Sequence, residues 1–328
     1  MDKDLIKQIR ARLDGAQRIL LTSHVRPDGD AVCSVLAMGL ALRERGKTVQ
    51  MVLTDGVPSD YHHLQNVKEI ARKATPPVDL VITLDSAAND RSGDALNGFD
   101  AIDINIDHHV TNTRFAALNY IDPAAVATCA ILAELFTDLG LQFTPPIIDA
   151  LLTGILTDTL GFRTSNMNPK ALRIAADLVE KGADLPALYE RSLLRRSFQA
   201  LRYWGAGLSK LNREGSMVWT SLTLADRQAA NYPGNDDAEL VNNIAIVEGA
   251  SVVVLFIEQH DNQVKISWRS QGDVDVSQIA AQFGGGGHVP AAGAVLSGSM
   301  EEVQQKVLQA TRATLQGKES LLSTVARS

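Results

Sequence analysis

Short apolar runs of strand length recur through the first half of this chain, and segments long enough to form a covering helix separate several of them. The runs are RILLTS (18–23), TVQMVL (48–53), DLVITL (79–84) and AIDINI (101–106). Residues 31–45 carry helical periodicity and stop at Gly46, a C-cap signal. AAVATCAILAELFTDLG reads as another helix, ending at Gly140. This alternation predicts a mostly parallel sheet covered by helices. In such sheets ligands bind beyond the carboxyl ends of the strands.

The second half has a different rhythm. Residues 185–211 are helical in pattern and rich in arginine (Arg191, Arg195, Arg196, Arg202), and read as a connector between domains. Its arginines suit a solvated helix face; the alternative is the lining of a substrate channel. Strand MVWTSL (217–222), helix DAELVNNIAIV (237–247), strands SVVVLFIE and QVKISWR, a short helix VSQIAAQF and a glycine run follow. A last helix begins near Ser299, with Glu301 and Glu302 in its first turn. The expected fold class is α/β: an N-terminal, mostly parallel sheet flanked by helices, plus a smaller C-terminal α/β substrate-binding domain. The expected division is a catalytic domain over 1–186, a helical connector over 187–212, the second domain over 213–318 and a loose tail over 319–328.

The 328 residues suffice for two domains. A net charge of −7 argues against broad electrostatic binding to duplex DNA, which needs a basic face. It leaves room for a small anionic substrate held by metal and a few arginines. Two cysteines, Cys33 and Cys129, make neither a disulfide framework nor a zinc-finger spacing. The charged N-terminus does not read as a signal peptide and no apolar stretch is long enough to span a bilayer, so a cytoplasmic protein without membrane contact is expected.

INIDHHV (104–110) ends a strand on Asp107, His108 and His109. Alone, the triplet reads equally well as a solvated turn with a capping Asp. Other polar groups, however, occupy equivalent places. SHVRPDGDA (23–31) follows the first strand and offers His24, Asp28 and Asp30 on a turn made tight by Pro27 and Gly29. Asp85 ends the third run, and Asp158 closes the apolar helical stretch LLTGILTD. Four carboxylates packed together repel unless cations neutralise them. Oxygen donors with imidazoles and no thiolate suit Mn²⁺, with Mg²⁺ as the alternative. Two such ions bridged by one carboxylate form a clamp for in-line attack at phosphorus.

HVRPDGDA, the strand-end Asp85, DHH and LTGILTDTLGF, in that order, resemble the four motifs of the DHH phosphoesterases. QVKISWRSQGDVDVSQIAAQFGGGGHVPAAG resembles the substrate domain of the RecJ-like branch, and the resemblance runs from about residue 15 to 315. It implies that His24, Asp28 and Asp85 hold one metal ion. Asp30, Asp85, His108 and Asp158 hold the other, and Asp85 bridges them. His109 faces the scissile phosphate as a hydrogen-bond donor or acid, so Asp85, His108 and His109 form the catalytic set. One departure stands out: the first motif is usually followed by Gly-Ser, and here by Cys33-Ser34.

Four glycines before a His, GGGGH (284–288), suit either a hinge or backbone close to an anion, because glycine N–H groups can form a nest. By resemblance Gly285, Gly286, Gly287, His288 and Arg269 bind the nucleotide. Length resembles the stand-alone bacterial members that degrade very short RNA and remove the 3′ phosphate of adenosine 3′,5′-bisphosphate (pAp). Short single-stranded RNA and nucleotides are the expected partners, and a homodimer is compatible with the sequence. The rivals are a phosphodiesterase for cyclic di-AMP or pApA, an inorganic pyrophosphatase and a non-catalytic nucleotide sensor. The pyrophosphatase branch has a Lys- and Arg-based second domain, which the WRS…GGGGH pattern does not match. A sensor would have lost metal ligands, and none is missing here.

Overall fold

The computed structural model describes residues 3–99, 101–272 and 274–325. The chain forms two compact units, Met1–Arg195 and Arg196–Ser328.

In the first unit β1 (Arg18–Thr22), β2 (Thr48–Val52), β3 (Leu80–Leu84), β4 (Ile104–Asp107) and β5 (Leu118–Ile121) form one sheet in the order β2-β1-β3-β4-β5. Every pairing is parallel. The chain steps from β1 to β2 on one side and returns to β3 on the other. This is a topological switch point, where open α/β sheets place their ligands. The carboxyl ends of β1 and β3 flank it.

Helices α1 (Lys3–Gly15), α2 (Gly29–Glu44), α3 (Thr128–Leu139), α4 (Pro145–Asp158) and α5 (Pro169–Glu180) build the rest. α2 is buried along almost its whole length, from Gly29 to Leu42, because it lies in the main core with α3 and α4 around it. Its first turn meets the last turn of α4 at Gly29, where a Cβ would stand 2.2 Å from Thr157 Oγ1. Glycine is therefore required at that crossing. Cys33, the departure from the family pattern, is fully buried inside α2, and the helix runs through it unbroken.

The region read as one connector is broken into short pieces. α6 (Leu185–Tyr189) runs into a π-helical turn over Glu190–Leu194, Arg195 is extended, and α7 (Phe198–Leu208) starts afresh. The cause is capping: Asp184 accepts from Ala187 N and Ser197 from Ala200 N, so two helix starts share one periodic stretch.

The second unit continues with β6 (Asn212–Glu214), β7 (Met217–Leu222), α8 (Leu224–Ala230), α9 (Leu240–Ile244), β8 (Val252–Gln259) and β9 (Gln263–Ser270). Then come α10 (Val276–Ala281), β10 (Gly286–His288), β11 (Ala291–Ser297) and α11 (Met300–Val325). The sheet order is β10-β11-β9-β8-β7-β6, antiparallel except for β7 and β8. Strand alternation gives it two apolar faces. Val252, Val254, Phe256 and Trp268 share a core with Val276 and Val307 from α10 and α11. Val218, Val253 and Leu255 share one with Tyr203, Leu240 and Ile244 from α7 and α9.

α9 is shorter than its sequence pattern, because Ala238 and Glu239 adopt left-handed backbone and admit no helix before Leu240. The expected loose tail is helical as far as Val325, and residues 326–328 lie outside the described residues. Among the described residues no helix is long and apolar enough to cross a membrane.

Candidate metal centre

The switch-point edge of the first sheet collects the polar groups. After β1 the chain turns through His24 to Asp28, the N-cap of α2, whose Oδ1 accepts from Ala31 N at 3.0 Å. Asp30 follows in the first turn. Both of its oxygens accept from the start of α3, from Thr128 N at 2.5 Å and Cys129 N at 2.9 Å. A carboxylate of α2 thus caps α3, which has no side-chain cap of its own. Gly154 of α4 makes this approach possible, since a Cβ there would lie 2.3 Å from Cys129 Sγ and 2.9 Å from Asp30 Oδ1.

Asp85 follows β3 in left-handed backbone (φ 53°), a strained state for a residue with a Cβ. Its N–H is tied to the Ile106 carbonyl at 2.9 Å and its carbonyl accepts from Ser23 Oγ at 3.3 Å. The side chain is buried, and Oδ1 accepts from Thr128 Oγ1 at 3.0 Å. Its two oxygens face different imidazoles. Oδ2 lies 3.6 Å from His24 Nε2, and Oδ1 lies 3.6 Å from His108 Nε2. Asp28 Oδ2 is 3.7 Å from His24 Nε2, and Asp158 Oδ2 is 3.5 Å from His108 Nε2.

Donor atoms of His24, Asp28 and Asp85 lie within 4.8 Å of one another, as do those of Asp30, His108 and Asp158. At 3.5–3.7 Å the imidazole–carboxylate pairs are loose for hydrogen bonds, but they suit donors gathered around a common ion. All six residues singled out in the sequence as ligands come together. His109 joins Asp85 and His108 in a third such group.

The electrostatics follow from burying these charges together. Burial, reinforced by the charge of Asp85, pushes the Asp30 carboxyl up to about 7. Burial, reinforced by Asp30, pushes Asp158 up to about 8. Burial acts downward on His24, but Asp28 and Asp85 outweigh it and carry the imidazole up to about 10. Buried negative charge in excess holds protons that a divalent cation would replace. The donors are oxygen and imidazole nitrogen. Burial pushes the nearby thiols of Cys33 and Cys129 well above their usual range, so they stay protonated and do not compete for metal. The site therefore fits hard divalent ions such as Mn²⁺ or Mg²⁺.

Asp107 has a different part. It is fully buried, with Oδ1 2.7 Å from His109 Nδ1, which itself lies 3.7 Å from Asp85 Oδ1. Its Oδ2 accepts from Asn112 Nδ2 at 2.6 Å, and that amide also reaches Asn105 Oδ1 at 2.8 Å.

In the second unit Arg269, next to last in β9, pairs with Ala291, which pairs with His288. Arg269 and His288 therefore share one face, two strands apart. The glycine run is extended where the sequence allowed a hinge or a nest. Gly286–His288 is a strand in a hairpin with β11. A Cβ on Gly285 would stand 2.2 Å from the Gly293 carbonyl oxygen, and one on Gly287 2.4 Å from that of Ala291. These two glycines serve the approach of two strand backbones, and Gly286 faces open space.

Residues 18–155 match the DHH family N-terminal domain, and residues 224–317 match the DHHA1 domain. Over 319 residues the chain is 37% identical to the bifunctional oligoribonuclease and PAP phosphatase NrnA of Thermus thermophilus, covering 95% of this chain and 94% of that one. The chain belongs to the DHH family. Like that family, it is a metal-dependent phosphoesterase. The NrnA of Bacillus subtilis is 26% identical over 84% of this chain and 88% of its own. An exopolyphosphatase-related protein of Bacteroides fragilis superposes with a TM-score of 0.88 at 25% identity, covering 98% of both chains. Exonuclease RecJ bound to manganese shares the fold, with a TM-score of 0.52 at 15% identity over 94% of this chain and 93% of that one.

Two residues of this DHH site escaped the sequence reading. Asp107, the first letter of the DHH triplet, was given no role there. The signal lay in strand alternation, since Ile104 and Ile106 enter the core while Asn105 and Asp107 share the other face. Thr128 left no such signal, because its contact to Asp85 exists only once α3 has packed beside α2.

Proposed function

We propose that this chain hydrolyses oligoribonucleotides of about two to five residues to mononucleotides and removes the 3′ phosphate of pAp. His24, Asp28 and Asp85 would hold one Mn²⁺ ion. Asp30, Asp85, His108 and Asp158 would hold a second. The observation that carries the reading is the pair of donor groups that meet opposite oxygens of one buried carboxylate, Asp85. When bound, such ions polarise the phosphoryl group and activate water.

The chain's own residues do the remainder. Asp107 accepts from Nδ1–H of His109 and favours the protonated imidazole, whose Nε2–H can donate to a phosphate oxygen or to the leaving oxygen. Asn112 holds Asp107 in turn. In the second unit Arg269, Gly285, Gly286, Gly287 and His288 would receive the nucleotide, with the guanidinium on a phosphate. The relatives named as oligoribonuclease and PAP phosphatase support this substrate class.

The test offers Mn²⁺-loaded protein pAp, RNA of 2–5 and 20 residues, cyclic di-AMP and pyrophosphate side by side. The reading expects the highest kcat/KM on pAp and the shortest RNA, with a shallow salt dependence. Preference for cyclic di-AMP or pyrophosphate, or faster turnover of the 20-mer, would overturn it.

A further inference from the structure

The guanidinium of Arg269 is half-buried and held at two points. Nε donates to Asn242 Oδ1 at 2.9 Å, and Nη1 donates to the Trp268 carbonyl at 2.9 Å. Arginine has five N–H groups. Among the described residues three remain without a partner, both on Nη2 and one on Nη1, and guanidinium N–H groups of this kind grip phosphate oxygens. Burial works against the Arg269 charge and outweighs the pull of Asp237 and Glu239, so an anion at the free edge would complete its environment.

Asn242 is well placed to hold that edge in position. It is exposed on α9, while Leu240, Val241 and Ile244 of the same helix are buried anchors. Asp237 fixes the start of the helix by accepting from Val241 N at 2.9 Å. Glu239, paired with Arg196, is one of the two left-handed residues that set the helix start. Strained backbone of this kind persists only where its surroundings over-determine it.

We propose that Asn242 is a positioning residue: by holding Nε it turns the free edge of Arg269 toward a phosphate of the nucleotide substrate. The proposal rests on the reading that Arg269 binds substrate. A long side chain without that tether samples more rotamers and must be ordered when substrate binds, a cost that falls on affinity.

The experiment compares wild type, Asn242→Ala, Arg269→Ala and the double variant, each with Mn²⁺. KM and kcat are measured for pAp and for bis-p-nitrophenyl phosphate, and the readout is the ratio of KM between the two substrates. That ratio cancels any common loss of folded enzyme. Asn242→Ala should raise KM for pAp about tenfold, the scale of one hydrogen bond to a charged group, with a smaller change in kcat. In the Arg269→Ala background the same substitution should change KM less than about twofold, because its effect passes through Arg269. An equal rise in both backgrounds, or no rise when Arg269→Ala gives one, would overturn the positioning role. If Arg269→Ala itself leaves KM for pAp unchanged, the substrate role of Arg269 fails and this proposal falls with it.

Discussion

Metal loading should expel protons, and the number follows from the site. At pH 7 a carboxyl raised to about 7 is half protonated, one raised to about 8 is mostly protonated, and an imidazole raised to about 10 is fully so. A metal ion needs all three in their proton-free forms. Binding of Mn²⁺ to chelator-treated protein should therefore release roughly two to three protons from these three groups at pH 7 and roughly one at pH 9, mostly from His24, and His108, which the surrounding carboxylates also raise, adds to the count. The sign follows from raised values: the metal-free fold keeps its protons at low pH, so apparent affinity climbs with pH. Near neutrality the climb is about 100-fold per pH unit or more, since each released proton contributes a factor of ten. Calorimetry in buffers of different ionisation enthalpy reads the proton count directly. Asp158→Asn should lower it by about one at pH 7. Release of fewer than one proton at pH 7 would refute the reasoning, because the cluster would already be ionised without its metal.

Three further substitutions probe the same geometry. Asp85→Asn should leave the circular dichroism spectrum intact and cut turnover by more than tenfold, over about 1.4 kcal/mol; a variant retaining a tenth or more of the activity would contradict a shared carboxylate. Asp107→Asn should lower kcat about 10- to 100-fold, as loss of a residue that orients a site histidine does, with KM little changed; unaltered kcat would remove its role in holding His109. Gly154→Ala drives a Cβ to 2.3 Å from Cys129 Sγ and 2.9 Å from Asp30 Oδ1. It should cost about 1–3 kcal/mol in urea unfolding and weaken Mn²⁺ binding; a wild-type midpoint would show that the helices have room to spare.

Much of the metal centre was legible because its donors sit at positions that strand and helix patterns already define. Four apolar runs predict β1 to β4, and the ends of β1, β3 and β4 supply His24, Asp85 and His108. What stayed hidden depends on tertiary contact. β5 was missed, being a four-residue edge strand with only Tyr120 buried, too short to show a period. The capping of α3 by Asp30 pairs residues 98 positions apart. The glycine run allowed a hinge or a nest. It joins a hairpin in which the carbonyls of Gly293 and Ala291 leave no room for side chains on Gly285 and Gly287. The break before α7 turns on one serine cap inside a pattern that otherwise reads as continuous helix.

Anomalous diffraction at the manganese edge, from crystals grown with Mn²⁺, tests the central claim most directly. Two peaks are expected, each beside a different oxygen of Asp85. One should be shared with His24 and Asp28, the other with Asp30, His108 and Asp158. A single peak, or two peaks that leave Asp85 unliganded, would contradict it.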